Sequence, residues 1–338
     1  MEYRQLGRSG LKVSEVCLGT MTFGHGTDEQ EAQRMVDHAI GAGINFFDSA
    51  NSYADAQSEV FLGKALKGKR KDVVVATKFY NPMGSGPNDS GMSRYHIMNT
   101  VEDSLKRLDM DHIDLFYIHH VDQETPLEEA LRALDDLVRQ GKVRYIACSN
   151  FEAWRLMEAL WISDSNGLER FIAYQPQYSL LVRDIEIDLV PACQFKDVGI
   201  VTWSPLGGGF LSGKYKPGET SKEGTRSAEG WAYPGKHFHP NTNAILTAVL
   251  ETAEQLGKSP AQVAIQWILE QSHITSVLVG ARTVEHFDDN VRGSGWTMDS
   301  DTLARLNELS EPIDKYPERM ERPRDGARLS AIDMPSLD

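Results

Sequence analysis

The amino-acid sequence predicts an α/β fold, a (β/α)8 TIM barrel with an N-terminal β-hairpin. Eight short hydrophobic runs alternate with helix-like segments along the 338 residues, which is typical of a parallel sheet whose strands are joined by helices. Polar residues able to do acid–base chemistry follow several runs, at the strand ends where barrel enzymes carry their active sites. We expect residues 1–338 to form one barrel domain, with residues 311–338 as an irregular, proline-containing C-terminal extension.

The predicted strands are short and apolar. Tyr3, Leu6, Leu11 and Val13 flank a Gly-Arg-Ser-Gly turn, which indicates the hairpin. Short apolar runs then predict eight buried barrel strands. In chain order these runs are Val16–Leu18, Ile44–Phe47, Val73–Thr77, Ile113–Ile118, Val143–Ala147, Phe171–Tyr174, Gly199–Trp203 and Thr275–Val279.

Amphipathic segments between the runs predict helices. In the third segment, Ile97, Val101 and Leu105 recur at helical spacing. In the fourth, Pro126 suits a first helical turn and Gly141 follows the helix end. The predicted helices lie near Asp28–Ala42, Ser58–Leu66, Arg94–Leu108, Pro126–Gln140, Phe151–Leu160, Ile185–Lys196, Pro260–Gln271 and Val284–Asn290.

Two connections are longer than ordinary turns. Asn81–Gly91 is rich in glycine, proline and asparagine, and Gly207–Phe238 follows the seventh predicted strand. Loops of this length are usually functional. We expect the second one to fold over a bound ligand at the strand ends.

Composition and charge narrow the class of protein. Hydrophobic residues make up 41% of the chain and charged residues 25%, as in ordinary soluble enzymes. The net charge of −14 disfavours binding to nucleic acid or anionic membranes. No signal-like or membrane-spanning apolar run occurs, and the three cysteines show no C-x-x-C spacing. We expect a cytoplasmic protein with reduced, buried thiols and no metal site.

Four polar residues at or beyond the strand ends form the predicted catalytic group: Asp48, Tyr53, Lys78 and His119. An ammonium group near a phenol lowers the pKa of the phenol, so Lys78 could make Tyr53 a general acid for a carbonyl oxygen. Asp48 would hold Lys78, and His119 would orient the carbonyl. Taken singly, Asp48 could be a helix cap or turn residue, Tyr53 a packing tyrosine and His119 a core histidine. Lys78 is harder to explain structurally, because buried lysine is uncommon. The prediction rests on their combination.

Seven sequence strings carry a resemblance to a known enzyme family. They are GINFFDSANSYADAQSEVFLGKAL, VVVATKF, SLKRLDMDHIDLFYIHHVD, GKVRYIACSNF, YQPQYSLLVR, VTWSPLGGGFLSGKY and VLVGARTVEHFDDN. In these strings, which keep the family's order over roughly residues 1–310, the chain resembles the aldo-keto reductases, especially their bacterial and potassium-channel β-subunit-like branch. The resemblance implies a (β/α)8 barrel, an extended nicotinamide cofactor, no metal, and Tyr53 as the proton donor of the tetrad. Because strand residues alternate in direction, we expect His120 to face away.

The cofactor must be held without a Rossmann fingerprint or P-loop, because neither motif occurs. Amide and hydroxyl groups of Ser149, Asn150 and Gln175 could bind a carboxamide, and the Trp203 ring could stack on a nicotinamide. Glycines after Trp203 allow backbone amides to approach a pyrophosphate. Lys214 and Arg226 follow in the same long loop, which we expect to fold over the cofactor, and they could bind the pyrophosphate oxygens. Alternatively, these two cations could form a solvated basic patch. The predicted cofactor residues in this half are Thr20, Met21, Ser149, Asn150, Gln175, Trp203, Ser204, Pro205, Leu206, Gly207, Gly209, Lys214 and Arg226.

The last predicted helix supplies the other end of the cofactor site. A helix N-terminus favours anions, and Arg282 adds positive charge there. The resemblance implies that this segment binds the adenosine 2′-phosphate and that Asn290 contacts adenine, which favours NADP(H). His286 stands where relatives often carry Arg or Gln, so NAD(H) is the alternative. The predicted contacts here are Gly280, Arg282, His286, Asp289 and Asn290.

The sequence therefore predicts an NAD(P)H-dependent oxidoreductase that interconverts an alcohol with an aldehyde, ketone or sugar-like carbonyl. The predicted pocket mouth contains residues of the Asn81–Gly91 loop together with Met21, Phe23, Tyr53, Phe79, Tyr80 and His120. We expect a small-molecule substrate, no nucleic-acid or membrane partner, and a possible homo-oligomer. One alternative is a cofactor-binding regulatory subunit with slow or no turnover. Another is a metal-dependent barrel isomerase or aldolase, in which Lys78 could form a Schiff base.

Overall fold

Eight parallel strands close into a barrel in a computed structural model, which describes residues 1–220 and 238–313. The strands are β3 (Val16–Gly19), β4 (Phe46–Asp48), β5 (Val74–Phe79), β6 (Ile113–Ile118), β7 (Val143–Ser149), β8 (Phe171–Gln175), β9 (Gly199–Thr202) and β10 (Ser276–Val279). Each pairs with its sequence neighbour, and β10 closes on β3. The predicted (β/α)8 barrel is confirmed.

An antiparallel hairpin of β1 (Tyr3–Gln5) and β2 (Lys12–Ser14) closes the N-terminal end of the barrel, as predicted. Leu6 and Val13 are fully buried and join the inner core between the strands. Gly7 has a φ of 55°, and a Cβ there would lie 2.3 Å from the Ile172 carbonyl oxygen, so only glycine fits. With this end sealed, the C-terminal strand ends are left to form a site.

Helices surround the barrel and cover an outer core of buried apolar side chains. They are α1 (Glu29–Gly41), α2 (Gln57–Ala65), α3 (Arg94–Leu108), α4 (Leu127–Arg139), α5 (Ala153–Asn166), α6 (Leu189–Lys196), α7 (Thr242–Leu256), α8 (Pro260–Leu269), α9 (Val284–Val291) and α10 (Ser300–Leu309). Short 3-10 helices occupy Arg70–Asp72, Asp184–Glu186 and Gly207–Ser212. Within the described ranges, no helix is both long and apolar enough to cross a membrane.

Three helical details differ from the prediction. The predicted helix Ile185–Lys196 is divided, since a 3-10 turn ends at Glu186 and α6 begins only at Leu189. Helices α7 and α10 were not predicted. The periodic signal of α10 is weak because Leu306 is its only fully buried residue. Of the long connection Gly207–Phe238, residues 221–237 lie outside the described part of the chain, as do residues 314–338 of the predicted extension.

Candidate active site

Neighbouring strands place Asp48 and Lys78 together inside the C-terminal mouth of the barrel. Asp48 ends β4, and its register partner on β5 is Ala76, two residues before Lys78. The Lys78 ammonium donates to Asp48 Oδ1 and, at 2.7 Å, to the Ser49 carbonyl oxygen. Both side chains are buried, so the charges stabilise each other in an environment with little water.

Tyr53 reaches this pair from the turn after β4. The Lys78 ammonium donates to the Tyr53 hydroxyl oxygen at 3.3 Å and lies 4.9 Å from the centroid of its ring. The following residues, Ala54, Asp55 and Ala56, have φ values of 49°, 50° and 70° and lead into α2. Three successive non-glycine residues in this region are uncommon, and such strain occurs often at functional sites. The turn thus holds the phenol over the ammonium.

His119 completes the group at the end of β6. Its ring stands edge-on to the Tyr53 ring, with 5.9 Å between centroids. The side-chain amide nitrogen of Asn81 lies 3.5 Å from His119 Nδ1. An amide nitrogen can only donate, so this contact favours a proton on Nε2, the other ring nitrogen. Burial, with smaller contributions from Lys78 and His120, lowers the pKa of His119 to about 2, and the imidazole is therefore a neutral donor.

The buried ion pair has a further partner in Gln175. Its Nε2 donates to Asp48 Oδ2 at 2.9 Å. Burial raises the pKa of Asp48, while Lys78 and the Gln175 amide oppose that rise. Burial alone would lower the pKa of Lys78, but the charges of Asp48 and Tyr53 outweigh it and the pKa is raised. The arrangement keeps Lys78 protonated beside the phenol.

The predicted orientation of His120 is wrong. Its ring stacks on the His119 ring with 4.7 Å between centroids, and it meets the Tyr80 ring edge-on at 5.4 Å. The alternation rule fails here because β6 ends at Ile118, so neither histidine belongs to the strand. His120 therefore lies at the pocket mouth beside the tetrad.

Two residues beside the tetrad have contacts that the sequence did not predict: Asn81, expected only as part of the loop at the mouth, and Tyr117, which was not singled out. Asn81 contacts His119 and also donates to the Ser52 hydroxyl at 3.0 Å, which joins the loop after β5 to the turn after β4. Tyr117 lies inside the barrel with its ring centroid 5.9 Å from the Lys78 ammonium. The signal for Tyr117 was its position two residues before His119, on the inward face of the strand.

The residues predicted to hold a carboxamide lie beside the tetrad. The Ser149 hydroxyl donates to the Gln175 carbonyl oxygen at 2.7 Å. The Asn150 side-chain nitrogen donates to Ser149 Oγ at 2.9 Å and to the His119 carbonyl oxygen at 3.0 Å. These bonds fix the amide plane of Asn150. Gln175 binds Asp48 with its nitrogen, so it links this group to the ion pair. Thr20, beneath them, bonds to the Ser58 hydroxyl and the Asp48 carbonyl oxygen.

The segment after β9 forms a tight turn of left-handed backbone. Ser204, Gly207, Gly208 and Gly209 have φ values of 59°, 55°, 66° and 102°. The Gly208 N–H donates to Ser204 Oγ at 3.1 Å, which stabilises the turn. Pro205 is buried, Leu206 half-buried and Lys214 exposed, and Met21 is half-buried across the mouth. Arg226 lies outside the described residues.

The segment around α9 lies beside this turn, because β10, which precedes α9, pairs with β9. Asn290 is buried and its side-chain nitrogen donates to the Gly280 carbonyl oxygen at 3.4 Å. Asp289 accepts hydrogen bonds of 2.7 Å from both Ser259 and Gln262 at the start of α8. His286 is exposed on the first turn of α9, and Arg282 precedes that helix.

The residues at the mouth fit a nicotinamide dinucleotide. The indole nitrogen of Trp203, next to the end of β9, is buried and has no hydrogen-bond partner among the described residues. A Cβ added to Gly209 would meet no atom within 4 Å, so the backbone there is open to a ligand. The fixed amide of Asn150 offers an oxygen acceptor on the same rim. Trp203, the Asn150 amide and the backbone at Gly209 thus offer contacts to a nicotinamide ring, its carboxamide and a pyrophosphate, respectively.

Comparisons with known proteins agree with this geometry. The sequence model of the aldo/keto reductase family matches residues 15–311. The uncharacterized oxidoreductase YrpG of Bacillus subtilis is 40% identical over 320 residues, which cover 91% of this chain and 96% of that protein.

Two other relatives differ in their described roles. A probable voltage-gated potassium channel subunit beta of Oryza sativa is 36% identical over 86% of this chain and 90% of its own. The versiconal hemiacetal acetate reductase of Aspergillus parasiticus is 34% identical over 94% of this chain and 99% of its own.

Proposed function

The chain belongs to the aldo/keto reductase family, and we propose that it is an NAD(P)H-dependent oxidoreductase that interconverts a carbonyl and an alcohol with Tyr53 as general acid and base. The observation that carries this proposal is the contact between the Tyr53 hydroxyl and the Lys78 ammonium, which is itself bound to buried Asp48. This is the arrangement that an acidic phenol requires.

Each residue of the tetrad has its own role in the proton transfer. When bound, a reduced nicotinamide would be the source of the hydride for the carbonyl carbon. Tyr53 transfers its hydroxyl proton to the carbonyl oxygen, and Lys78 stabilises the phenolate that remains. His119 donates from Nε2 to the same oxygen and orients it, as a neutral imidazole can. Asp48 keeps Lys78 charged and in place. In alcohol oxidation, the Tyr53 phenolate takes the proton back.

Arg282 and the N-terminus of α9 support a preference for NADP(H), because both favour an anion such as the 2′-phosphate. NAD(H) is the alternative, since the exposed His286 offers a phosphate an imidazole rather than the bidentate guanidinium of an arginine. Lys214 and Arg226 would bind the pyrophosphate. Ser149, Asn150 and Gln175 would bind the carboxamide, with Trp203 against the ring.

The substrate is proposed to be an aldehyde, a ketone or a sugar-like carbonyl. Tyr80 and His120 supply flat surfaces at the mouth, whereas Asn81 and Ser52 supply hydrogen-bonding groups. A relative described as a hemiacetal acetate reductase is consistent with a carbonyl that carries further oxygen atoms. The Schiff-base alternative is disfavoured, because the raised pKa of Lys78 keeps its amine protonated and non-nucleophilic.

A cofactor-binding regulatory subunit is the second candidate function. The observation in its favour is that relatives covering most of the chain are described as probable potassium channel β subunits. The intact tetrad favours turnover instead, since a purely regulatory subunit does not need a phenol held on a buried ammonium.

Titration of the purified protein separates these functions. Binding of NADPH and of NADH is measured by quenching of protein fluorescence, and turnover by loss of reduced-nicotinamide absorbance with a panel of aldehydes, ketones and sugars. Tight binding with turnover on some carbonyls supports the reductase. Tight binding without turnover on any of them supports the regulatory subunit, and no binding of either cofactor contradicts both.

A further inference from the structure

A carboxylate of the protein already occupies the N-terminus of α9. Glu31, on α1, accepts the Val284 N–H at 2.6 Å through its Oε1. Val284 is the first residue of α9, and its N–H is one of the groups that make a helix N-terminus attractive to anions. Thr283 caps the same turn by accepting the His286 N–H at 3.4 Å. Two N–H groups of this turn are therefore already bonded within the protein.

Charges around this turn are balanced rather than positive. Arg34 Nη1 lies 2.7 Å from Glu31 Oε2, and Arg34 Nη2 lies 3.6 Å from Glu285 Oε1. The Arg282 side chain runs past Gly26, where an added Cβ would lie 3.4 Å from its Nε. The region around the turn therefore carries two arginines and two carboxylates, and Arg34 contacts both carboxylates. A phosphate monoester carries about −1.5 to −2 charges at neutral pH and would have to enter beside Glu31.

Hydrogen bonds hold the loop before α9, and α9 itself, in place beside Glu31. Thr22 donates to the Ala281 carbonyl oxygen at 2.6 Å, and Thr27 donates to the Arg282 carbonyl oxygen at 3.1 Å. On the other side, Asp289 of α9 is held by the start of α8. Because the loop and the helix are held from both sides, the carboxylate at the helix end is a fixed part of the site.

We propose that Glu31 is a specificity-determining residue that opposes binding of the 2′-phosphate and thereby shifts the chain toward NADH. The inference rests on the proposed function, since it assumes that the adenosine end of the cofactor lies at α9. NADH carries an uncharged 2′-hydroxyl in place of the phosphate, so it avoids the repulsion. Removal of the Glu31 charge should therefore strengthen NADPH binding selectively.

Glu31→Gln is the direct test, because glutamine keeps a side-chain oxygen for the Val284 N–H and removes only the charge. Two charges about 3–4 Å apart that water screens interact by an amount equivalent to about fivefold to tenfold in affinity. We expect the dissociation constant of NADPH to fall by about that factor, and by less at high salt, while that of NADH stays the same. Both are measured by fluorescence titration of the full chain, without any turnover.

Glu29→Gln is the matched control, because Glu29 lies in the same first turn of α1 but pairs with Lys64 at 2.6 Å. It should change neither constant. An unchanged ratio of the two constants in Glu31→Gln would overturn the inference, and so would an equal weakening of both cofactors, which indicates a purely structural cap. Failure of the unaltered protein to bind either cofactor would instead contradict the proposed function.

Discussion

The tetrad end of the barrel mouth differs from the α9 end in how its charges are held. Asp48 and Lys78 are excluded from water and bonded directly to each other. At α9, Glu31 and Arg34 are partly exposed; they pair with each other on α1, and each also contacts a residue of α9. A buried charge without its partner is costly, so the first arrangement tolerates little change, whereas solvent screens the second. Substitutions at the tetrad end should therefore disrupt catalysis, whereas substitutions at the α9 end should change the preference between cofactors.

Lys78→Met should have the largest effect on stability. It leaves the Asp48 carboxylate buried without a cation, which costs about 3–5 kcal/mol of unfolding free energy. Without Lys78 the pKa of Asp48 rises further, so the folded state favours the protonated acid. The penalty should then be smallest at low pH and grow as the pH rises. Denaturant unfolding at several pH values measures this.

Lys69→Met is the control for that experiment, because Lys69 pairs with Asp37 at the surface. Its unfolding free energy should change by about 1 kcal/mol or less. If Lys78→Met and Lys69→Met lost the same small unfolding free energy, the buried ion pair would be no more costly to break than a surface pair.

His119→Gln should lower kcat/KM by about 10²–10³, the usual effect of removing one donor to a reacting oxygen. Because burial keeps the pKa of His119 at about 2, the imidazole stays neutral throughout the assay range. The factor lost should therefore be the same from about pH 5 to pH 9. His112→Gln, before the opposite end of β6, serves as control. A loss that varied with a midpoint near neutral pH would show that the histidine titrates.

Arg282→Ala should have the smallest effect, a weakening of NADPH binding by about threefold to tenfold, as for a solvent-screened charge. NADH binding should change less, and turnover at saturating cofactor should not change. Arg292→Ala removes a charge at the other end of α9 and should be neutral. If Arg282→Ala altered turnover at saturation, the α9 end would not be independent of the tetrad.

The two ends also differ in what the sequence could predict. Asp48, Lys78 and His119 were identifiable because each polar residue ends or follows a hydrophobic run, and barrel closure brings such ends together. The bond between Glu31 and Val284 joins residues 253 positions apart and depends on how α1 packs on α9. His120 was misplaced because strand alternation was extended past the end of β6. Periodicity predicts elements and the residues at their ends, but not contacts between the helices around them.

Tyr53→Phe tests the central claim most directly, because it removes only the hydroxyl that contacts Lys78. The rate of NADPH oxidation by a carbonyl substrate should fall by about 10²–10⁴, while the dissociation constant of NADPH stays the same. Tyr95→Phe, at an exposed position on α3, should leave both unchanged. If Tyr53→Phe kept its rate, or lost cofactor binding in proportion to its rate, Tyr53 would not be the proton donor.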